Sequence, residues 1–236
     1  MNVERLSKRL SAVSNFIPEG AKLADIGSDH AYLPCHVVKA GKVPYAIAGE
    51  VVEGPFQSAR KQVEMEGLTK QIDVRKGNGL EVIGVGEVDC ITIAGMGGAL
   101  IATILEEGKE KLKGVKRLVL QPNISAISIR LWLLGNGWSL IDEAILEEDG
   151  KIYEILVAEK GDPKSVYTEK MENQLLFGPY LSKEKNEAFI DKWTAEWNNW
   201  DRILKQMSQS SQTTEKIEKK MEIQKKISMV KEVLGE

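Results

Sequence analysis

The chain has 236 residues, 42% of them apolar and 28% charged, and a formal net charge of −3. That length holds one ordinary α/β domain and a smaller appendage, with the composition of a soluble globular protein. No apolar run approaches the ~20 residues that cross a bilayer, residues 1–5 lack a signal-peptide core, and the charge gives a nucleic acid no bulk attraction.

These totals predict a cytoplasmic protein with no membrane partner, in which any bound nucleic acid is held by a local cationic patch. Residues 1–17 read as an amphipathic helix. Val3, Leu6, Leu10 and Val13 share one face, and Arg5, Lys8 and Arg9 another. Those cations are either an ordinary solvated face or a phosphate contact beside a cofactor pocket. Residues 22–26 read as a short buried strand that breaks at Gly27 and feeds a helix. A dinucleotide-binding turn would read G-x-G-x-x-G, since its later glycines let backbone approach a pyrophosphate and let helix and strand pack closely. Asp29 and Tyr32 stand there instead, so a carboxylate and a ring would repel and crowd a diphosphate. A cofactor without phosphate fits better. His30, Cys35 and His36 lack the spacing of a structural zinc site, so no metal is expected, and Cys35 and Cys90 read as reduced core thiols.

Strand two, residues 45–50, ends in Glu50 and is followed by a helix to Met65. An acid about 20 residues past the glycine turn suits both hydroxyls of a ribose, whether nicotinamide or adenosyl. Strand three, residues 72–75, runs into Gly77-Asn78-Gly79-Leu80, either a plain turn or a base-binding one. Strand four, residues 88–94, is the strongest buried run. It ends in Gly95-Met96-Gly97-Gly98, whose glycines suggest close backbone approach to a bound group, before a helix over 99–112. Strand five, 117–121, closes on Pro122-Asn123. A helix over 125–134 and two strands, 138–146 and 153–158, around Glu148-Asp149-Gly150 complete the pattern as an antiparallel hairpin. Five β-α units thus bring Gly27, Glu50, Asn78, Gly95 and Asn123 to one strand edge, where open α/β sheets bind ligands.

Beyond Gly161 the strand signal stops. Phe177-Gly-Pro-Tyr180 reads as a bend between helices. Phe189, Trp193, Trp197, Trp200, Leu204 and Met207 form one helical seam, Ile223, Ile227, Val230 and Leu234 a second, and polar residues 208–214 a loop between them. The expected division is therefore a domain over 1–160, with its basic N-terminal helix, and a helical coiled-coil hairpin over 161–236.

Asp25-Ile-Gly-Ser-Asp-His-Ala-Tyr-Leu-Pro34, Ala48-Gly-Glu50, Gly77-Asn-Gly79, Ala94-Gly-Met-Gly-Gly98 and Gln121-Pro-Asn123 closely resemble the bacterial tRNA (adenine-22-N1)-methyltransferases, the TrmK family. The likeness runs through Phe177-Gly-Pro-Tyr180 and the C-terminal helical pair. It implies a class I S-adenosylmethionine-dependent methyltransferase fold, Rossmann-like with a seven-stranded, mostly parallel sheet, and S-adenosylhomocysteine as the spent cofactor. It also implies a coiled-coil appendage and the tRNA D-loop region as substrate. By position, Asp25 and Gly27 would lie at the methionine end of the cofactor, with Ser28 and His30 also among the cofactor-binding residues, Glu50 on the ribose, Asn78 and Gly79 beside the adenine, and Ala94, Gly95 and Met96 at the methyl-transfer mouth.

Adenine N1 carries an in-plane lone pair, so methylation there needs positioning rather than prior proton removal. The absence of an [N/D]-P-P-[Y/F] motif after strand four agrees with a ring nitrogen as acceptor. Asp29 is the candidate catalytic contact, accepting from the adenine amino group; the competing reading makes it a helix cap. N1 lies on the Watson–Crick edge, so the target base must be splayed out. Arg5, Lys8, Arg9, Arg60, Lys61, Arg130 and Asn123 are candidates for the rim that holds the tRNA, with a monomer expected. The alternatives are a methyltransferase for a small molecule or protein, a nicotinamide oxidoreductase, and a noncatalytic RNA-binding protein on the same fold.

Overall fold

The computed structural model describes residues 2–207 and 214–235. Among the described residues seven strands are present: β1 (Lys22–Ile26), β2 (Tyr45–Glu50), β3 (Ile72–Lys76), β4 (Cys90–Gly97), β5 (Arg117–Ile124), β6 (Trp138–Glu148) and β7 (Lys151–Lys160). They form one sheet in the order β3-β2-β1-β4-β5-β7-β6. The first five run parallel, and β7 is antiparallel to both β5 and β6. The chain moves outward from β1 to β3 and returns to β4 on the other side of β1. That reversal opens a crevice at the carboxyl ends of β1 and β4.

Both faces of the sheet are covered, which is why its strands read as continuous apolar runs rather than alternating ones. On one face Ile91, Ile93, Leu118 and Leu120 pack with α4 (Gly98–Glu107) and α5 (Ala126–Gly135) through Ile101, Leu105, Ile129 and Leu133. On the other, Leu23, Ala46, Ala48, Cys90 and Val119 meet α1 (Lys8–Asn15), α2 (Tyr32–Lys39) and α3 (Glu53–Met65) through Val13, Val37 and Val63. Cys35 and Cys90 are buried within this face, and desolvation pushes both thiols up to about 12.

Three local expectations change. The N-terminal helix is only eight residues long, because Asn2 closes a turn on Arg5 (Arg5 N–H to Asn2 Oδ1, 2.7 Å) and Ser7 caps the helix by accepting from the Leu10 N–H at 3.2 Å. The third β-α unit has no α-helix: Gly79–Val82 make one 3₁₀ turn, since glycines at 77, 79 and 84 disfavour a longer helix. Strand β4 continues through Gly97 with a register shift against β5 between Ala94 and Met96. The glycines there therefore answer three different demands. Gly95 needs its left-handed φ of +82°, Gly97 has room to spare, and a Cβ on Gly98 would stand 2.1 Å from the Ser125 carbonyl oxygen. Gly98 thus lets the start of α4 pack on the backbone just after β5 rather than serving a ligand.

The C-terminal segment comprises α6 (Met171–Phe177), α7 (Leu181–Glu184), α8 (Glu187–Met207) and α9 (Thr214–Leu234). Gly178, at φ +90°, makes the expected bend. Phe177, Phe189 and Trp193 form an aromatic cluster with Met229 and Val230 of α9 against Ile145 of β6. The seam tryptophans are thus packing groups. Of the polar loop expected at 208–214, residues 208–213 lie outside the described residues, and Thr214 opens α9.

Arg130 is not on a rim. It is fully buried, donating from Nε to Glu143 at 2.7 Å and from Nη2 to Glu154 at 2.6 Å, and from Nη1 to the Leu175 and Leu176 carbonyls at 3.3 Å. Lys192 of α8 also pairs with Glu154. Desolvation opposes each of these charges, but the carboxylates outweigh it for Arg130, and the two cations hold Glu154 below its usual range. An arginine five residues into an apolar helix looks like a surface cation in sequence; here it ties α5, β6, β7, α6 and α8 together.

Gly98→Ala is expected to destabilise the protein by about 1–3 kcal/mol through overpacking against β5, whereas Gly97→Ala, with only Ile124 at 3.9 Å, should cost less. Thermal unfolding of the two variants checks this ordering.

Candidate active site

The crevice holds a cavity of about 320 Å³, a volume in the usual range for small-molecule sites. Asp25, Gly27, Ser28, Asp29, His30, Glu50, Ala94, Gly95 and Met96 all line it, together with Arg9 and Tyr32. The sequence had scattered these over three strand ends and the first two helices; the sheet brings them together.

The turn after β1 is built by backbone geometry that only a strong local framework can hold. Gly27 has φ +72°, and Asp29 and Ala31 take left-handed φ values of +53° and +54°, each costing about 1–2 kcal/mol for a residue with a side chain. Glu50 supplies the framework: its Oε1 accepts from the Asp29 N–H at 2.6 Å and its Oε2 from the Val51 N–H at 3.2 Å. The Gly27 and Ser28 N–H groups donate to the Gly49 carbonyl at 2.9 and 3.1 Å. The end of β2 therefore templates the turn after β1. A Cβ on Gly27 would fall 2.1 Å from Met96 Cε, so the β4 loop closes over the same turn.

Asp25 is buried, accepting at Oδ1 from the Thr92 hydroxyl (2.5 Å) and at Oδ2 from the Ser28 hydroxyl (2.6 Å). Desolvation raises its pKa despite those bonds, and the Glu50 charge adds to the rise. It is a carboxylate poised for a cationic partner. Asp29 is mostly exposed at the mouth, with its carboxylate 3.7 Å from His30, whose ring stacks on Tyr32 at 5.2 Å. The helix-cap reading of Asp29 loses support, because the residue that caps α2 is Ala31, without a side-chain acceptor.

The opposite wall is fixed by a clamp that sequence reasoning passed over. Gln121, fully buried, accepts at Oε1 from the Gly95 N–H (3.0 Å) and from Arg9 Nη1 (2.5 Å), while Asn123 Nδ2 donates to the Gly95 carbonyl at 2.8 Å. Asn123 thus holds the site's wall. A polar residue inside an apolar strand, such as Gln121 or the Thr92 that meets Asp25, is the signal that could have found both. Asn78 and Gly79 line a neighbouring hollow with Leu80 and Ile104, joined to the cavity's edge by the Gly77 N–H, which donates to the Glu50 carbonyl at 2.9 Å. Arg5, Lys8 and Lys61 are exposed, and Arg60 is half-exposed and 3.7 Å from Glu64. Among the described residues no group of three or more His, Cys, Asp or Glu is placed to hold a metal ion, and no helix is long and apolar enough to cross a membrane.

The family model for TrmK, tRNA (adenine(22)-N(1))-methyltransferase, matches residues 23–232. The tRNA (adenine(22)-N(1))-methyltransferase of Bacillus subtilis (strain 168) is 54% identical over 99% of each chain. The crystal structure of B. subtilis m1A22 tRNA methyltransferase TrmK superposes with a TM-score of 0.94 over 98% of this chain and 99% of that one, at 54% identity. Streptococcus pneumoniae Sp1610, described as a putative tRNA (m1A22) methyltransferase and solved with S-adenosyl-L-methionine, is 46% identical, with a TM-score of 0.87 over 98% of this chain and 100% of that one. The chain belongs to the TrmK family of tRNA (adenine(22)-N(1))-methyltransferases.

Proposed function

We propose that this chain methylates N1 of adenine 22 in tRNA with S-adenosylmethionine as donor. The observation that carries the reading is the cavity at the switch point between β1 and β4, whose lining includes buried Asp25 and Glu50. Its donor set fits an adenosyl sulfonium amino acid. Asp25 offers a desolvated carboxylate to the ammonium, Glu50 offers lone pairs to the ribose hydroxyls, and Asp29 in the turn disfavours a diphosphate. Bound S-adenosylmethionine supplies an electrophilic methyl, leaving S-adenosylhomocysteine.

The protein's own work is placement. Gln121 and Asn123 fix Gly95, and with it the mouth at which an incoming base meets the methyl. No residue has to remove a proton from N1, and no general base is required. Asp29, exposed at that mouth, accepts from the adenine amino group and offsets the positive charge that builds on the ring. Exposed Arg5, Lys8, Arg60 and Lys61 attract the tRNA backbone to the rim. We assign residues 1–160 to the catalytic domain and 161–236 to a coiled-coil hairpin that contacts tRNA, in a protein working as a cytoplasmic monomer.

Incubation of bulk tRNA with labelled S-adenosylmethionine, followed by mapping of the product, is expected to find N1-methyladenine at position 22; transfer to protein or small molecules but not tRNA would overturn the reading. Asp29→Ala should lower turnover about 100-fold with little change in S-adenosylhomocysteine affinity, whereas equal losses in both would remove its proposed role. The raised pKa of Asp25 gives a pH dependence whose sign is fixed. Burial favours the neutral acid, so ionisation costs the free protein stability above that pKa, and the cost is relieved as pH falls through it. A ligand ammonium needs the ionised form, so calorimetric affinity for S-adenosylhomocysteine should fall on the acid side at a pH above the ordinary aspartate value, and this limb should vanish in Asp25→Asn.

A further inference from the structure

We propose that the hollow between the start of α5 and one face of α8 takes an unstacked base of the tRNA close to the target adenine, an inference that rests on the reading of this chain as a tRNA methyltransferase. The hollow has a volume of about 160 Å³, and Ser125, Leu176, Lys192, Trp193, Glu196 and Trp200 are among its walls. It shares no lining residue with the cofactor cavity. The two are nevertheless neighbours at the carboxyl edge of the sheet. Asn123 Nδ2 holds the Gly95 carbonyl at the mouth, and Ser125 stands two residues further on, at most about 7 Å along an extended chain. Ile124, the residue between them, is 72% exposed. A tRNA that presents its target at the mouth therefore lays nearby nucleotides against this hollow.

Its chemistry selects a base over a phosphate. Lys192 is the one cation in the lining, and it is already paired with Glu154, which also accepts from Arg130 Nη2 at 2.6 Å. Glu196, one helical turn along α8, lines the hollow and makes no ion pair among the described residues. An anion entering there meets an unpaired carboxylate and no free cation.

A flat, neutral group suits the remaining walls. Trp200 closes the aromatic seam of α8, its ring 6.4 Å from that of Trp193, yet it is only half-buried and lines the hollow. Trp193 is 4% exposed, and its Nε1 is one of two buried side-chain nitrogen or oxygen atoms among the described residues that lack a hydrogen-bond partner. Leaving such a donor unmet costs about 1–3 kcal/mol. Every base has a π-face to stack on a tryptophan and an acceptor for an indole N–H, and a base with an amino group can also donate to Glu196. Lys192, Glu196 and Trp200 recur every four residues, so one face of α8 presents them together. Arg130 of α5, Glu154 of β7 and Lys192 join the two sides of the hollow through their buried pairing.

The test measures tRNA affinity by filter binding, together with methyl transfer, for the unmodified protein, Trp200→Ala, Trp200→Phe and Glu196→Gln. Thermal unfolding and calorimetry with S-adenosylhomocysteine accompany each. Trp200→Ala should raise the Kd for tRNA about 10- to 100-fold with S-adenosylhomocysteine affinity unchanged, and Trp200→Phe should keep most of the tRNA affinity. The slope of log Kd against log salt should stay the same, since stacking releases no counterions. Glu196→Gln should weaken binding, whereas removing a negative charge that merely faces phosphates would strengthen it. Synthetic tRNAs with a single abasic site at each position around the target locate the base: one position should cost the unmodified protein the same factor and cost Trp200→Ala nothing further. An unchanged Kd in Trp200→Ala, tighter binding by Glu196→Gln, or a loss in Trp200→Ala that no abasic position reproduces overturns the proposal. Should Trp200→Ala fail to fold, the abasic scan with Glu196→Gln decides by itself. Failure of the unmodified protein to methylate tRNA would instead overturn the reading of its activity.

Discussion

The carboxylate of Glu50 accepts from the Asp29 N–H at 2.6 Å, and the site depends on that bond. The turn after β1 carries two residues with side chains in the left-handed region, Asp29 and Ala31. The strain at each is about 1–2 kcal/mol, and a hydrogen bond to a charged acceptor contributes about 1.5–3 kcal/mol. The two are of similar size, so one charge-assisted bond offsets the strain at Asp29, and the Gly49 carbonyl adds two more backbone bonds. The turn is thereby held by the protein's own groups. Glu50 is then both a structural template and a group with lone pairs left for a ribose.

The second wall follows the same logic from the other side of β1. Gln121 and Asn123 at the end of β5 grip both the N–H and the carbonyl of Gly95, and Met96 reaches back over Gly27. Further out, the buried Arg130 group fixes the C-terminal helices to the sheet. Glu143 accepts from the Tyr180 N–H at 3.0 Å, and a Cβ on Gly178 would lie 2.5 Å from the Glu143 carboxylate. Removing one member would leave an uncompensated buried charge, a loss of about 3–5 kcal/mol. The seam of α8 and α9 is therefore held in a set orientation relative to β6 and β7 rather than tethered by a linker.

The succession of strands along the chain and the edge that carries the site were legible because buried parallel strands and glycine turns leave local signatures. Glu50 could be placed from its distance past Gly27 alone. What the sequence hid was long-range pairing of polar groups. Arg130 and Arg9 are both helix-borne arginines near a basic or apolar run, and nothing local separates one buried among carboxylates from one aimed into a cavity. Their partners, Glu143, Glu154, Gln121 and Glu148, come from strands and turns far along the chain. Gly98 was misread for a related reason: its missing side chain makes room for the backbone at Ser125, a contact fixed only when β4 and β5 pair. The shortened first helix turned on Asn2 and Ser7, small polar residues that compete with a helix through their own backbone bonds.

The central claim is that the cofactor enters a turn already formed, with Glu50 serving the turn and the ribose together. A crystal structure of the protein with S-adenosylhomocysteine tests it most directly. The account predicts that Asp29 and Ala31 keep their left-handed backbone, that Glu50 retains the Asp29 N–H, and that the same carboxylate receives the ribose hydroxyls. A turn that rebuilds around the ligand, or a Glu50 that releases the Asp29 N–H to reach the ribose, would contradict it.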